Sequence, residues 1–81
     1  MNIQYTKAAI KTIMVVDFST KQRIRKGIEG IPAGDIKTLQ GYQGLYRLRV
    51  GKWRIVFSYP DNNTILIEKI ATRGRVYKGG L

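Results

Sequence analysis

Apolar residues recur along this chain at two different periods, and the change divides it into a helical first part and a stranded second part. Between Lys7 and Asp17 the residues Ile10, Ile13, Met14 and, just beyond, Phe18 follow helical spacing. This predicts a helix capped by Thr6 with one apolar stripe turned to a core, although Val15 and Val16 blur the stripe. Ser19 followed by Gln22 has the pattern of a capping box and predicts a second helix reaching about Glu29, where Gly30 and Pro32 stop it. Within it Ile24 and Ile28 face inward while Lys21, Arg23, Arg25 and Lys26 spread around the outside, so an antiparallel helix pair is expected. Met1 to Tyr5 alternates briefly and reads as a short strand.

From Ile31 to Gly44 periodicity is lost, and a loop anchored by Leu39 is expected to cross to a sheet. Period-two alternation then predicts strands over Leu45 to Val50, Trp53 to Pro60 and Thr64 to Ala71. Gly51 and Lys52 make the first turn, and Asp61, Asn62 and Asn63 make the second. The third strand, TILIEKIA, is apolar on both sides for most of its length, which suits a central or covered position. The expected class is therefore α+β: two N-terminal helices packed on a small, mainly antiparallel sheet, in two layers and one domain over residues 1–81.

The strand pattern carries charge as well as oil. Arg47 and Arg49 project to one side while Tyr46, Leu48 and Val50 point to the other. On the next strand Arg54 and Ser58 share one face, and Trp53, Ile55, Phe57 and Tyr59 the opposite one. A tight turn brings Arg47, Arg49 and Arg54 together, and their mutual repulsion calls for an anionic partner.

Composition points the same way. Fifteen Lys and Arg against five Asp and Glu give a formal net charge of +10, concentrated at 21–26, 47–54 and 69–78. Nucleic acid or another polyanion is the natural partner. With no cysteine and no histidine, disulfides, Cys-based metal sites and His-dependent nucleophiles are excluded, and no metal or cofactor is expected. Apolar runs are too short for a membrane span and the start lacks a signal-peptide pattern, so a cytoplasmic protein without a membrane role is expected.

After the third strand comes Arg73-Gly74-Arg75-Val76-Tyr77-Lys78, which sets a phenol among four cations when Lys69 is included. Neighbouring positive charge stabilises phenolate, moving Tyr77 toward use as a general base. If this segment lies beside the hairpin, Arg47, Arg49, Arg54, Arg73 and Tyr77 line one groove suited to a phosphodiester. Arginine binds phosphate bidentately and stabilises an extra negative charge without a metal. RNA is the better substrate, because its 2′-hydroxyl is a built-in nucleophile; Lys52, Lys69 and Lys78 stand near enough in sequence to assist protonation.

The order of two helices, Leu39-x-Gly41, Gly44-x-Tyr46-Arg47-x-Arg49-x-Gly51-x-x-Arg54, a further strand and Arg73-x-x-x-Tyr77 resembles the RelE/ParE superfamily of bacterial toxins over nearly the whole chain. The resemblance implies a toxin of a type II toxin–antitoxin pair, held inactive in a hetero-oligomer with a cognate antitoxin. RelE-like members cleave mRNA in the ribosomal A site without a metal and leave a 2′,3′-cyclic phosphate; ParE-like members poison DNA gyrase instead. Carried over by position, the resemblance implies Arg54, Arg73 and Tyr77 as catalytic residues, and Arg47, Arg49, Lys52, Arg75 and Lys78 as phosphate contacts. The chain departs from RelE in having arginine where RelE has lysine on the first hairpin strand, and arginine does not transfer protons at ordinary pH. Thr72 stands where many ribonuclease members carry histidine, which leaves Tyr77 as the base.

Overall fold

The computed structural model describes residues 2–75 of the chain. Five strands form one sheet in the order β1-β5-β4-β3-β2, where β1 is Asn2–Tyr5, β2 Asp35–Thr38, β3 Tyr46–Val50, β4 Trp53–Asp61 and β5 Thr64–Thr72. β1 runs parallel to β5, with Asn2 opposite Thr64 and Tyr5 opposite Ile67, and every other pair is antiparallel. Helices α1 (Lys7–Val15) and α2 (Phe18–Glu29) cover one face. The α+β, two-layer architecture expected from the residues is the one observed.

The core lies between helices and sheet. Ile24 and Ile28 of α2 and Ala9 of α1 meet Leu48, Ile55, Phe57, Ile65, Ile67 and Ile70 from β3, β4 and β5, all 2% exposed or less. Burying an aliphatic or aromatic side chain of this size stabilises by about 1.5–3 kcal/mol, which makes this face the seat of folding energy. α2 can lie close on β3 because Gly27 has no side chain: a Cβ there would stand 2.8 Å from Cγ2 of Val50. The central place expected for β5 follows from its pairing on both sides.

Thr6 caps α1 as expected and also fixes how the helix is rotated. Its hydroxyl accepts from the N–H of Ala9 (3.2 Å) and donates to the Glu68 carbonyl (2.7 Å), while its own N–H donates to the Ile67 carbonyl (3.0 Å). These ties to β5 turn Thr6, Ala9 and Ile13 toward the sheet. Of the expected stripe only Ile13 packs against the core, while Ile10, Met14 and Phe18 are 44%, 72% and 75% exposed. One residue of offset turns a side chain by about 100° around the axis, enough to carry Ile10 and Met14 off the sheet.

Other expectations change in detail. α1 ends at Val15, because Val16 is already extended (ψ 155°), and Phe18 therefore opens α2 instead of continuing α1. The N-cap of α2 is Asp17, whose carboxylate accepts from the N–H of Thr20 at 2.9 Å, so the Ser19 box is not used. Each helix takes a strand as its main neighbour, α1 crossing β5 and α2 crossing β3. The loop expected over 31–44 contains β2, an edge strand whose one apolar side chain, Ile36, is too little for a period to register. No helix among the described residues is long and apolar enough to cross a membrane.

Candidate functional site

The face of the sheet away from the helices is built from the alternate residues of the same strands. A two-residue turn fixes the β3–β4 register: Gly51 adopts φ +59°, which a glycine at the first turn position takes without strain. Val50 then pairs with Trp53, Arg49 with Arg54 and Arg47 with Val56. β2 adds Asp35 opposite Arg49 and Lys37 opposite Arg47. Directly opposed like charges destabilise a sheet, so the Arg49–Arg54 pair is retained at a cost in folding free energy.

Arg73 is brought in from the end of β5. Its backbone N–H donates to the carbonyl of Lys52 at 3.0 Å, which ties the chain after β5 to the hairpin turn. Arg47, Arg49, Arg54 and Arg73 together line one shallow depression of about 310 Å³. The four arginines grouped from sequence are thus grouped in space. Lys52 and Arg75 are exposed nearby, at the turn and beyond β5, but do not line the depression. Tyr77 and Lys78 lie outside the described residues.

The guanidinium groups are held by different means. Nη1 of Arg54 donates to the carbonyls of Gly51 (2.8 Å) and Trp53 (3.0 Å), pinning it against its own turn. Asp35 takes those of Arg47 and Arg49. Its Oδ2 lies 2.6 Å from Nε of Arg49, and its Oδ1 lies 3.6 Å from Nη1 of Arg47. The Arg47 side chain is only 14% exposed, and its buried Nη1 makes no hydrogen bond among the described residues. A buried donor left unmade costs roughly 1–3 kcal/mol, offset here in part by the ion pair with Asp35.

Asp35 is the site residue that sequence reasoning missed. It sits in the segment read as loop, and nothing in its neighbours marks it as facing arginines twelve and fourteen residues later; only the β2–β3 register does so. Among the described residues it is the acid placed within an ion-pair distance of Arg47 and Arg49. This one carboxylate, among the described residues, stands with four guanidiniums in a partly buried setting, where each charge acts more strongly than in open water.

No group of three or more potential metal ligands occurs among the described residues. Tyr5 lies on the helix side, where burial pushes its hydroxyl up, Arg25 opposing and Glu29 adding to the shift. It takes no part in the arginine face. The arrangement can bind a phosphodiester through several guanidiniums and stabilise negative charge that develops on it.

No family model matches the chain. It is similar to the toxin RelE3 of Methanocaldococcus jannaschii, with 28% identity across 95% of this chain and 96% of that relative. Its fold matches that of a chain in the RelB–RelE antitoxin–toxin complex of Methanococcus jannaschii, with a TM-score of 0.74 and 27% identity over 91% of this chain and 94% of that one. The archaeal RelE–RelB complex of Pyrococcus horikoshii OT3 gives a TM-score of 0.70 at 26% identity, covering 91% and 96%.

Proposed function

We propose that this chain, RelE-like in sequence and in fold along nearly its whole length, is the toxin of a type II toxin–antitoxin pair and acts as an endoribonuclease. The observation that carries the reading is the convergence of Arg47, Arg49, Arg54 and Arg73 on one depression, where Asp35 is set against Arg47 and Arg49. The substrate is mRNA, engaged in the ribosomal A site. The partner that holds the toxin inactive is a cognate antitoxin, as the names of its structural neighbours suggest.

In the proposed reaction the 2′-hydroxyl of one nucleotide attacks the adjacent phosphorus. A new P–O bond closes a 2′,3′-cyclic phosphate as the bond to the 5′-oxygen breaks. The nucleophile loses a proton to the base, and the leaving 5′-oxygen takes one from water. Arg47 and Arg49 bind the non-bridging oxygens, and Arg54, pinned to its turn, stabilises the charge that accumulates in the pentacoordinate transition state. Arg73 steadies the leaving oxygen electrostatically. Arginine holds its protons too tightly to exchange them, so proton removal is assigned to Tyr77. Arg75, Lys52 and Lys78 hold the flanking phosphates.

The test is induction of the wild-type chain and of Arg54→Ala in a bacterial host, with the 5′ ends of transcripts mapped soon afterwards. Cleavages inside translated codons that vanish in a folded Arg54→Ala protein support the reading. Growth arrest with intact transcripts would replace it with a ParE-like action on gyrase.

A further inference from the structure

A second depression of about 390 Å³ adjoins the arginine site and shares Arg47 with it; Lys37, Thr38, Leu39, Gln40 and Tyr42 complete its lining. Its chemistry differs. Where the arginine site is almost wholly cationic, this one combines an aromatic ring, an aliphatic wall, a hydroxyl, an amide and one lysine. Volumes of this order accommodate small ligands, and the mixture of apolar surface with a few polar groups is that of a site for a flat heterocycle.

The loop that presents Tyr42 is set in place before any ligand arrives. Leu39 and Leu45 close it, the N–H of Leu39 donating to the Leu45 carbonyl at 3.0 Å, and the N–H of Tyr42 donates to the Leu39 carbonyl at 3.2 Å. Gly41 and Gly44 take φ +85° and +79°, conformations that side chains resist, and these bends put Tyr42 between them at the rim. Tyr42 remains 38% exposed, one of the few large apolar side chains that the fold leaves open. A protein that stacks an unpaired base uses an aromatic ring of this kind beside a cationic track for the backbone.

We infer that the Lys37–Tyr42 depression is a nucleobase subsite, which stacks an unpaired base of single-stranded RNA on Tyr42 while Arg47 holds that nucleotide's phosphate. The inference rests on the RNA reading of the arginine site. It gives Arg47 a double role as the shared wall, and it makes Tyr42 a residue that positions RNA without touching the reacting atoms. The sharing also sets the geometry: the stacked base belongs to a nucleotide adjoining the phosphate in the arginine depression.

The experiment measures binding of the purified chain to a short, fluorescently labelled RNA whose 2′-hydroxyls are methylated so that it is not cut, and to an abasic oligomer with the same number of phosphates. Wild type is expected to prefer the base-bearing oligomer by about tenfold, the usual scale of one stacked base. Tyr42→Ala should lose that preference and keep the salt dependence, and Tyr42→Phe should keep both. Arg49→Ala should weaken both oligomers alike and lower the salt slope by about one. If Tyr42→Ala retains the preference while Arg49→Ala behaves as stated, the subsite is wrong and the arginine reading survives. If wild type binds neither oligomer, both fall together.

Discussion

The two faces of β3 and β4 are made by neighbouring residues and do opposite things. Toward the helices Leu48, Ile55 and Phe57 are buried to 2% exposure or less, in a cluster closed by Ile24 and Ile28. Away from the helices Arg47, Arg49 and Arg54 crowd like charges around a depression, with Asp35 set against Arg47 and Arg49 and only partly balancing them. One face lowers the free energy of the fold, and the other spends some of that stability to hold a site ready for an anion. A strand alternates its side chains, so a single 19-residue stretch from Gly41 to Tyr59 encodes both.

Substitutions should separate the faces. The largest effect is expected from Phe57→Ala, which empties a fully buried position stacked on Tyr46 at 5.5 Å between ring centroids. A loss of about 3–5 kcal/mol would leave a domain this small close to unfolding, as thermal or urea denaturation would read. A well-folded Phe57→Ala protein would mean that the core is less dependent on this face than its burial implies.

Asp35→Asn probes the other face and should act in opposite directions on stability and binding. Losing a partly exposed ion pair costs about 0.2–1 kcal/mol, while removal of the competing carboxylate should tighten RNA binding and steepen its salt dependence. Titration of RNA into both proteins at several salt concentrations measures this. Weaker binding by Asp35→Asn would show that the carboxylate orients Arg47 and Arg49 more than it competes for them.

The smallest effect is assigned to Asp17, a carboxylate that serves a helix instead of the site. Its hydrogen bond from Thr20 lowers its pKa below the ordinary value of 3.8. Because the folded-state value is the lower one, its stabilisation is present above pH 3.8 and is lost as pH falls through the folded value. Acid unfolding of Asp17→Asn should accordingly begin from a slightly less stable protein and depend less on pH in that range. RNA binding at neutral pH should be untouched, in contrast to Asp35→Asn.

Much of this was legible in the residues because it depends on local rules. The Gly51–Lys52 turn fixes a register, the register pairs Arg49 with Arg54, and alternation puts the arginines on one face. The arginine grouping, the strands of the meander, the Thr6 cap and the inward Ile24 and Ile28 all follow from spacing of this kind. The rotation of α1 does not, because it is decided by bonds from Thr6 to Ile67 and Glu68, more than sixty residues away. Apolar spacing favoured Ile10, Ile13 and Met14; those tertiary ties kept Ile13, added Ala9 and left Ile10 and Met14 outside.

By itself, then, the sequence determined the division into helices and strands, the cationic and apolar sides of the hairpin, and the chemistry that the cationic side can offer. Only the tertiary structure decided that Asp35 would stand among the arginines, that the chain after β5 would be tied to the hairpin turn with Arg73, and that Tyr42 would rim a second depression sharing Arg47. Local propensity acts over a few residues, whereas these placements depend on pairing between segments far apart in the chain, and an edge strand as short as β2 leaves almost no period by which to foresee it.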